Sequence, residues 1–67
     1  MENMESMDEL YDYEISCGAC PSDACEAVVD AYCLDYHNAC KYAEHIADGE
    51  ALVLIMQVLN DYFGVVD

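Results

Sequence analysis

The chain has 67 residues, fifteen of which are Asp or Glu, while Lys41 is the single Lys or Arg, so the formal net charge is −14 at pH 7 with both His neutral. Proteins bind nucleic acids and anionic lipids mainly through Lys and Arg, so this balance argues against direct binding to either. Hydrophobic residues make up 57% of the chain, and disordered acidic segments are much less hydrophobic than this. We therefore expect a folded, strongly anionic protein.

The length and the apolar runs limit where such a protein can act. A chain of this size is one domain, 1–67, near the lower limit for a self-sufficient core. The longest apolar run, residues 51–56, is much shorter than the ~20 residues of a membrane-spanning helix. Residues 1–5 are acidic and lack the basic region that begins a signal peptide. We expect a cytoplasmic protein without a membrane contact.

Residues 1–21 form an acidic segment that ends in a Cys-x-x-Cys loop. Within it, residues 10–15 alternate between apolar and acidic side chains, with Asp12 and Glu14 on one side. This period of two is typical of a half-buried strand, although the earlier methionines and Tyr11 also fit helical spacing. We expect a short helical turn or coil followed by an extended stretch, whose mixture of tyrosine and acid suits contacts with arginine.

Residues 22–48 have a helical period, with apolar side chains recurring every three or four positions. The apolar stripe comprises Cys25, Val28, Val29, Tyr32, Tyr36, Cys40, Ala43 and Ala47. Gly and Pro mark the preceding loop, and Ser22 or Asp23 can cap the helix. The pattern predicts one long amphipathic helix, or two nearly collinear helices that break at residues 37–38. Tyr42 is expected at the edge of the core, where a ring with a hydroxyl group fits.

Residues 49–64 are predicted to form the core helix of the domain. Gly49 can adopt the left-handed conformation that ends the preceding helix, and Asp48 can cap the next one. Residues 50–63 are apolar over much of the helix circumference, which favours a central position. Gly64 ends the helix. The predicted fold is a mostly α, small single-domain helical bundle, with an α+β fold as the alternative if the first segment is extended.

Acidic residues in the helical segments are spaced so that several share one surface. Residues three and four apart are neighbours on a helix, which places Asp23, Glu26 and Asp30 in one row. Glu44 and Asp48 form a second row further along. Each pair of neighbouring like charges lowers helix stability by some tenths of a kcal/mol, so we interpret the two rows as a functional anionic surface. The candidate partner-binding residues are Asp12, Glu14, Asp23, Glu26, Asp30, Glu44 and Asp48.

The five cysteines offer a different hypothesis. Cys17 and Cys20 have the spacing of half a zinc site, which Cys25 and Cys33 or His37 could complete. The pattern lacks a second close pair, and both Cys25 and Cys33 also fit core packing. A metal site on Cys17, Cys20, Cys25 and Cys33 is therefore an alternative, and we expect no cofactor. No nucleophile is arranged with a histidine and no phosphate-binding loop occurs, so we do not expect an enzyme.

Together with the length and the acid excess, the stretches at 10–14 and 23–30 resemble small anti-CRISPR proteins encoded by phages, in particular acidic ones that look like DNA to their target. The resemblance covers the whole chain as composition and layout, without a signature motif. It implies an inhibitor in the cytoplasm of a bacterial host that binds the basic DNA-recognition surface of a CRISPR surveillance complex, such as that of a type I system. The alternatives are a cysteine-rich metal-binding or redox module and an acidic adaptor for a basic protein unrelated to nucleic acid.

Overall fold

The computed structural model describes residues 4–65, and this part of the chain consists of four α-helices with short connections. The helices are α1 (Met4–Ser16), α2 (Pro21–Tyr32), α3 (Tyr36–Ile46) and α4 (Gly49–Phe63). No strand occurs within residues 4–65. The prediction of a small, mostly helical bundle is confirmed, and the α+β alternative is wrong.

Helix α2 lies at the centre of the bundle, since it packs against α1, α3 and α4. Its buried side chains lie at helical spacing; they are Ala24, Cys25, Val28 and Val29. As predicted, α4 also supplies the core, through Ile55 and Leu59. However, among the helices of residues 4–65, α4 packs against α2 and α3 but not against α1, so the central position predicted for α4 belongs to α2. The Tyr36 hydroxyl donates a hydrogen bond to Asn60 Oδ1 at 2.6 Å, which joins α3 to α4.

Helix α1 replaces the extended stretch predicted at residues 10–15. In a helix, Met7 is buried and Leu10 and Tyr11 pack against the core, because residues three and four apart share a face. The alternation that suggested a strand would instead bury Tyr13 and Ile15, and both are exposed. The strand prediction is therefore wrong, since packing on α2 selects the helical period.

The predicted loop between α1 and α2 is confirmed, but the predicted cap is wrong. The amide of Ala19 donates to the Glu14 carbonyl at 3.0 Å, which closes the end of α1. Helix α2 then begins at Pro21, with Cys20 at the N-cap position. A proline is well placed in a first turn, because its missing N–H has no helical partner there. Ser22 and Asp23 consequently lie inside the helix and not at its cap.

The long helix predicted over residues 22–48 is interrupted at Cys33. This residue has φ 53° and ψ 44°, a left-handed conformation that ends α2. The Leu34 amide donates to the Val29 carbonyl at 3.1 Å. Asp35 then caps α3 by accepting a hydrogen bond from the Asn38 amide at 2.8 Å. The break therefore lies earlier than the predicted position at residues 37–38, and the prediction of a single long helix is wrong.

Replacing Cys33 by glycine is expected to stabilise the protein. A side chain in the left-handed region costs about 1–2 kcal/mol, and glycine avoids this cost while adding flexibility to the unfolded chain. We expect Cys33→Gly to have a free energy of unfolding about 0.5–1 kcal/mol above that of Cys33→Ala, measured by urea denaturation. The alanine variant is the matched control, because it also removes the thiol but keeps the strained conformation. A glycine variant no more stable than the alanine variant contradicts this account.

The joint between α3 and α4 follows the sequence prediction in part. Asp48 occupies the N-cap position of α4, as predicted, but its side chain accepts no capping hydrogen bond. Gly49 has φ 61° but is the first residue of α4, whereas α3 ends at Ile46 with Ala47 at its C-cap, so the prediction that Gly49 ends the preceding helix is wrong. Gly64 ends α4 with φ 71°. The amide of Val65 donates to the Asn60 carbonyl at 2.8 Å. This glycine-ended helix confirms the boundary predicted at residue 64.

Candidate anionic binding groove

The predicted acidic row of α2 lies along an open groove between α2 and α4. The groove has a volume of about 420 Å³ and is lined by Asp23, Glu26, Ala27, Asp30 and Tyr62. The three carboxylates share this groove because their spacing of three and four residues puts them on one side of α2. The opposite side of α2 is held by its buried apolar residues. The core packing of α2 therefore fixes the direction in which the acidic row faces.

Tyr62 closes the α4 side of the groove and contacts the acidic row directly. Its hydroxyl donates a hydrogen bond to Asp30 Oδ1 at 3.2 Å. Partial removal from water raises the pKa of Tyr62, and the hydrogen bond to Asp30 and the charges of Asp30 and Glu26 raise it further. The hydrogen bond from the hydroxyl orients one carboxylate of the row.

The groove lining contains three acids and no basic residue. The chain's one lysine, Lys41, lies exposed on α3. Asp23 and Asp30 are exposed, and Glu26 is half-buried. Carboxylate oxygens accept hydrogen bonds and attract cations, so the chemistry available here is the binding of Lys or Arg side chains. The helical spacing of the three acids predicted that they share one surface. No local sequence pattern could predict that Tyr62 lines the same groove, because Tyr62 lies 32 residues after Asp30 in the chain.

The remaining predicted acids lie outside this groove. Glu44 and Asp48 line a second hollow of about 260 Å³ at the end of α3. Asp12 is exposed on α1, whereas Glu14 is half-buried. The predicted extended stretch would place Asp12 and Glu14 on the same side, as a surface for contacts with arginine. On a helix, residues two apart do not face each other. The helical conformation of α1 therefore excludes a single recognition surface formed by Asp12 and Glu14.

Asp8, Tyr42 and His45 form a polar cluster that the sequence did not indicate. The Tyr42 hydroxyl donates to Asp8 Oδ1 at 3.0 Å, and His45 Nε2 lies 3.1 Å from Asp8 Oδ2. Tyr42 is only 1% exposed, so the prediction that it lies at the edge of the core is wrong. Its ring packs edge-on against Tyr11. Because Asp8 lies 34 residues away in sequence, no local pattern shows that Tyr42 can be buried with its hydroxyl satisfied. The cluster joins α1 to α3.

The five cysteines do not converge on a metal site. All of them are free thiols, and Cys25 is buried in the core whereas Cys17, Cys20 and Cys33 are exposed. Within residues 4–65, no group of three or more His, Cys, Asp or Glu side chains is arranged to hold a metal ion. Burial raises the pKa of the Cys25 thiol to about 11, with a smaller contribution from Cys40. Cys25 therefore contributes to packing as a protonated thiol.

Comparison of the chain with protein-family models, curated proteins and solved structures found no match. Among the helices of residues 4–65, none has the length and apolar character needed to cross a membrane.

Proposed function

We propose that this protein is an anionic inhibitor that competes with nucleic acid for the basic surface of its target. The observation that carries the proposal is the row of Asp23, Glu26 and Asp30 in one groove without a basic side chain in its lining. The resemblance of the chain to acidic anti-CRISPR proteins suggests the class of target. We take this to be the DNA-binding surface of a CRISPR surveillance complex, such as that of a type I system.

The spacing of the acidic row supports this proposal. A helix rises about 1.5 Å per residue, so Asp23 to Asp30 spans about 10 Å and carries about one charge per 5 Å. One strand of duplex DNA carries one charge per about 3.4 Å. The row is sparser than a DNA strand, but its spacing is close enough for neighbouring carboxylates to pair with side chains that bind successive phosphates.

The net charge supports the same mechanism at longer range. A charge of −14 attracts a basic surface before contact and accelerates association, and such attraction falls steeply with ionic strength. Screening acts over about 8 Å at physiological salt. Binding to the target is therefore expected to weaken as salt rises, as binding of DNA to the same surface does.

The test uses a purified type I surveillance complex and a fluorescent duplex that carries its target sequence. We expect the protein to displace the duplex in an anisotropy measurement. The triple variant Asp23→Asn, Glu26→Gln and Asp30→Asn removes three charge pairs worth up to about 1 kcal/mol each. We therefore expect it to bind the complex about 10- to 100-fold more weakly, measured directly by biolayer interferometry.

A control with the same charge change separates the groove from bulk charge. The variant Glu9→Gln, Glu44→Gln and Asp48→Asn also removes three negative charges, outside the groove. We expect it to lose less than threefold in affinity. Equal losses in the two triple variants would show that charge alone matters, and a duplex that stays bound would overturn the proposal for this target class. Affinity that does not change between 50 and 300 mM salt would also overturn it.

A further inference from the structure

The side of α4 that faces away from the bundle is apolar at its centre. Val53 is 54% exposed and Leu54 is 58% exposed. α4 packs only against α2 and α3, so within the described chain no helix covers this side. Isolated exposed aliphatic residues are common, but these two are adjacent in sequence and more exposed than Ile15 and Val65, the other large aliphatic residues that are exposed within residues 4–65.

Two ridges of side chains run along this side of α4. Positions four apart on a helix form a ridge, and one such ridge consists of Glu50, Leu54, Val58 and Tyr62. The neighbouring ridge consists of Val53, Gln57 and Asp61. Glu50 begins the first ridge and Asp61 ends the second, so one acid lies towards each end of this side of the helix. We call the residues of these two ridges the α4 face.

The α4 face is continuous with the acidic groove. Tyr62 ends the first ridge and also lines the groove, where its hydroxyl bonds to Asp30. A segment lying along the ridge from Glu50 to Tyr62 would extend over about 18 Å and would reach the carboxylates of α2 at its end. The aliphatic and the anionic surfaces can therefore contact one partner together.

We infer that the α4 face binds an amphipathic helix of the target protein, with aliphatic residues along one stripe and Lys or Arg beside them. This inference rests on the proposed function and adds the chemistry of the partner. Charge complementarity favours such a helix, because Glu50 and Asp61 lie towards the two ends of the aliphatic residues on α4. The groove adds three further acids beside them. Ridges of one helix pack into the grooves of another, which fits a helical partner. A second copy of this chain is disfavoured, because two surfaces of chains with charge −14 repel each other.

Two synthetic helical peptides of equal positive charge test the inference. The first carries lysine on one face and leucine on the other, and the second carries serine in place of each leucine. Burying aliphatic side chains away from water on binding favours association. We expect the leucine peptide to bind the full chain about 10- to 100-fold more tightly than the serine peptide, measured by fluorescence anisotropy.

Variants of the chain test whether the tighter binding of the leucine peptide depends on the α4 face. We expect Val53→Ser with Leu54→Ser to abolish the preference for the leucine peptide while leaving serine-peptide binding unchanged. Ile15→Ser, which changes an exposed residue of α1, is the control and is expected to keep the preference. All three side chains are exposed, and circular dichroism checks that each variant is folded.

The outcomes distinguish this inference from the proposed function. If the α4 face variant retains the preference, or the wild type binds both peptides equally, the inference is wrong while the groove proposal is untouched. If the groove triple variant binds the serine peptide as tightly as the wild type does, the groove proposal is wrong. Sedimentation of the wild type as a dimer that becomes monomeric in the α4 face variant would assign the face to a second copy and overturn the inference.

Discussion

Leu59→Ala is expected to lower the free energy of unfolding by about 2–5 kcal/mol. Leu59 is 0% exposed and belongs to the buried core cluster, so truncation leaves a cavity in a closely packed interior. A protein of this length has a total stability of about 3–10 kcal/mol. The substitution therefore removes a large share of it, and we expect the melting temperature to fall by about 10–30 °C.

Thermal unfolding followed by far-ultraviolet circular dichroism measures this effect. Leu54→Ala is the matched control, because it makes the same change on the same helix at an exposed position. We expect it to change the free energy of unfolding by less than about 0.5 kcal/mol. If the two variants melt at the same temperature, the face that α4 turns to the core has been assigned incorrectly.

The second large effect is a loss of stability at alkaline pH. Burial, with help from Cys40, raises the pKa of the Cys25 thiol from an ordinary value of 9.0 to about 11. The fold therefore favours the protonated thiol, whose stabilising contribution is complete below pH 9 and declines as the pH rises towards 11. A pKa difference of this size corresponds to roughly 3 kcal/mol of the free energy of unfolding.

Tyr42 extends the same effect to higher pH. Burial raises the pKa of its hydroxyl above the usual range, and the hydrogen bond to Asp8 and the charge of Asp8 raise it further. Its contribution is complete below pH 10.0, the ordinary value of a tyrosine, and declines above it. We therefore expect the urea midpoint to fall continuously from pH 9 upwards.

Urea denaturation between pH 7 and 11 checks this expectation. Cys25→Ala is expected to flatten the decline between pH 9 and 10, whatever its effect at pH 7. Cys20→Ala is the control, since Cys20 is an exposed thiol whose side chain makes no capping hydrogen bond, and its decline is expected to match that of the wild type. A wild-type midpoint that stays constant up to pH 11 would contradict the proposed role of the buried thiol.

The sequence predicted those elements whose signals are local. The apolar spacing of residues 50–63 and the glycine after them identify α4 to within one residue at each end. The row of Asp23, Glu26 and Asp30 follows from helical spacing alone, and the structure places all three acids in one groove. In each case the neighbours that matter lie within four residues along the chain.

The errors arose where contacts between distant residues decide the outcome. In α1, both periods fit the sequence, and packing of Met7 and Tyr11 against the core selects the helix. The end of α2 is an exception, because it depends on the local conformation of Cys33, which a non-glycine residue rarely adopts. The burial of Tyr42 depends on Asp8. The packing of α1 against the core and the contact of Tyr42 with Asp8 are not encoded within a window of a few residues.

The contact pattern of α2 also has a consequence for how the chain acquires its structure. Within residues 4–65, α1 with α2, α2 with α3, and α3 with α4 are packed pairs of successive helices. The connections between helices that are not consecutive are the packing of α2 with α4 and the side-chain contacts of Asp8 with Tyr42 and His45, which join α1 to α3. Chains dominated by near-neighbour pairings fold rapidly, typically in microseconds to milliseconds. On a translating ribosome, however, α2 cannot pack against α4 before α4 has been synthesised. Val28 and Val29 of α2 therefore remain partly exposed to solvent until the ribosome has made the intervening residues.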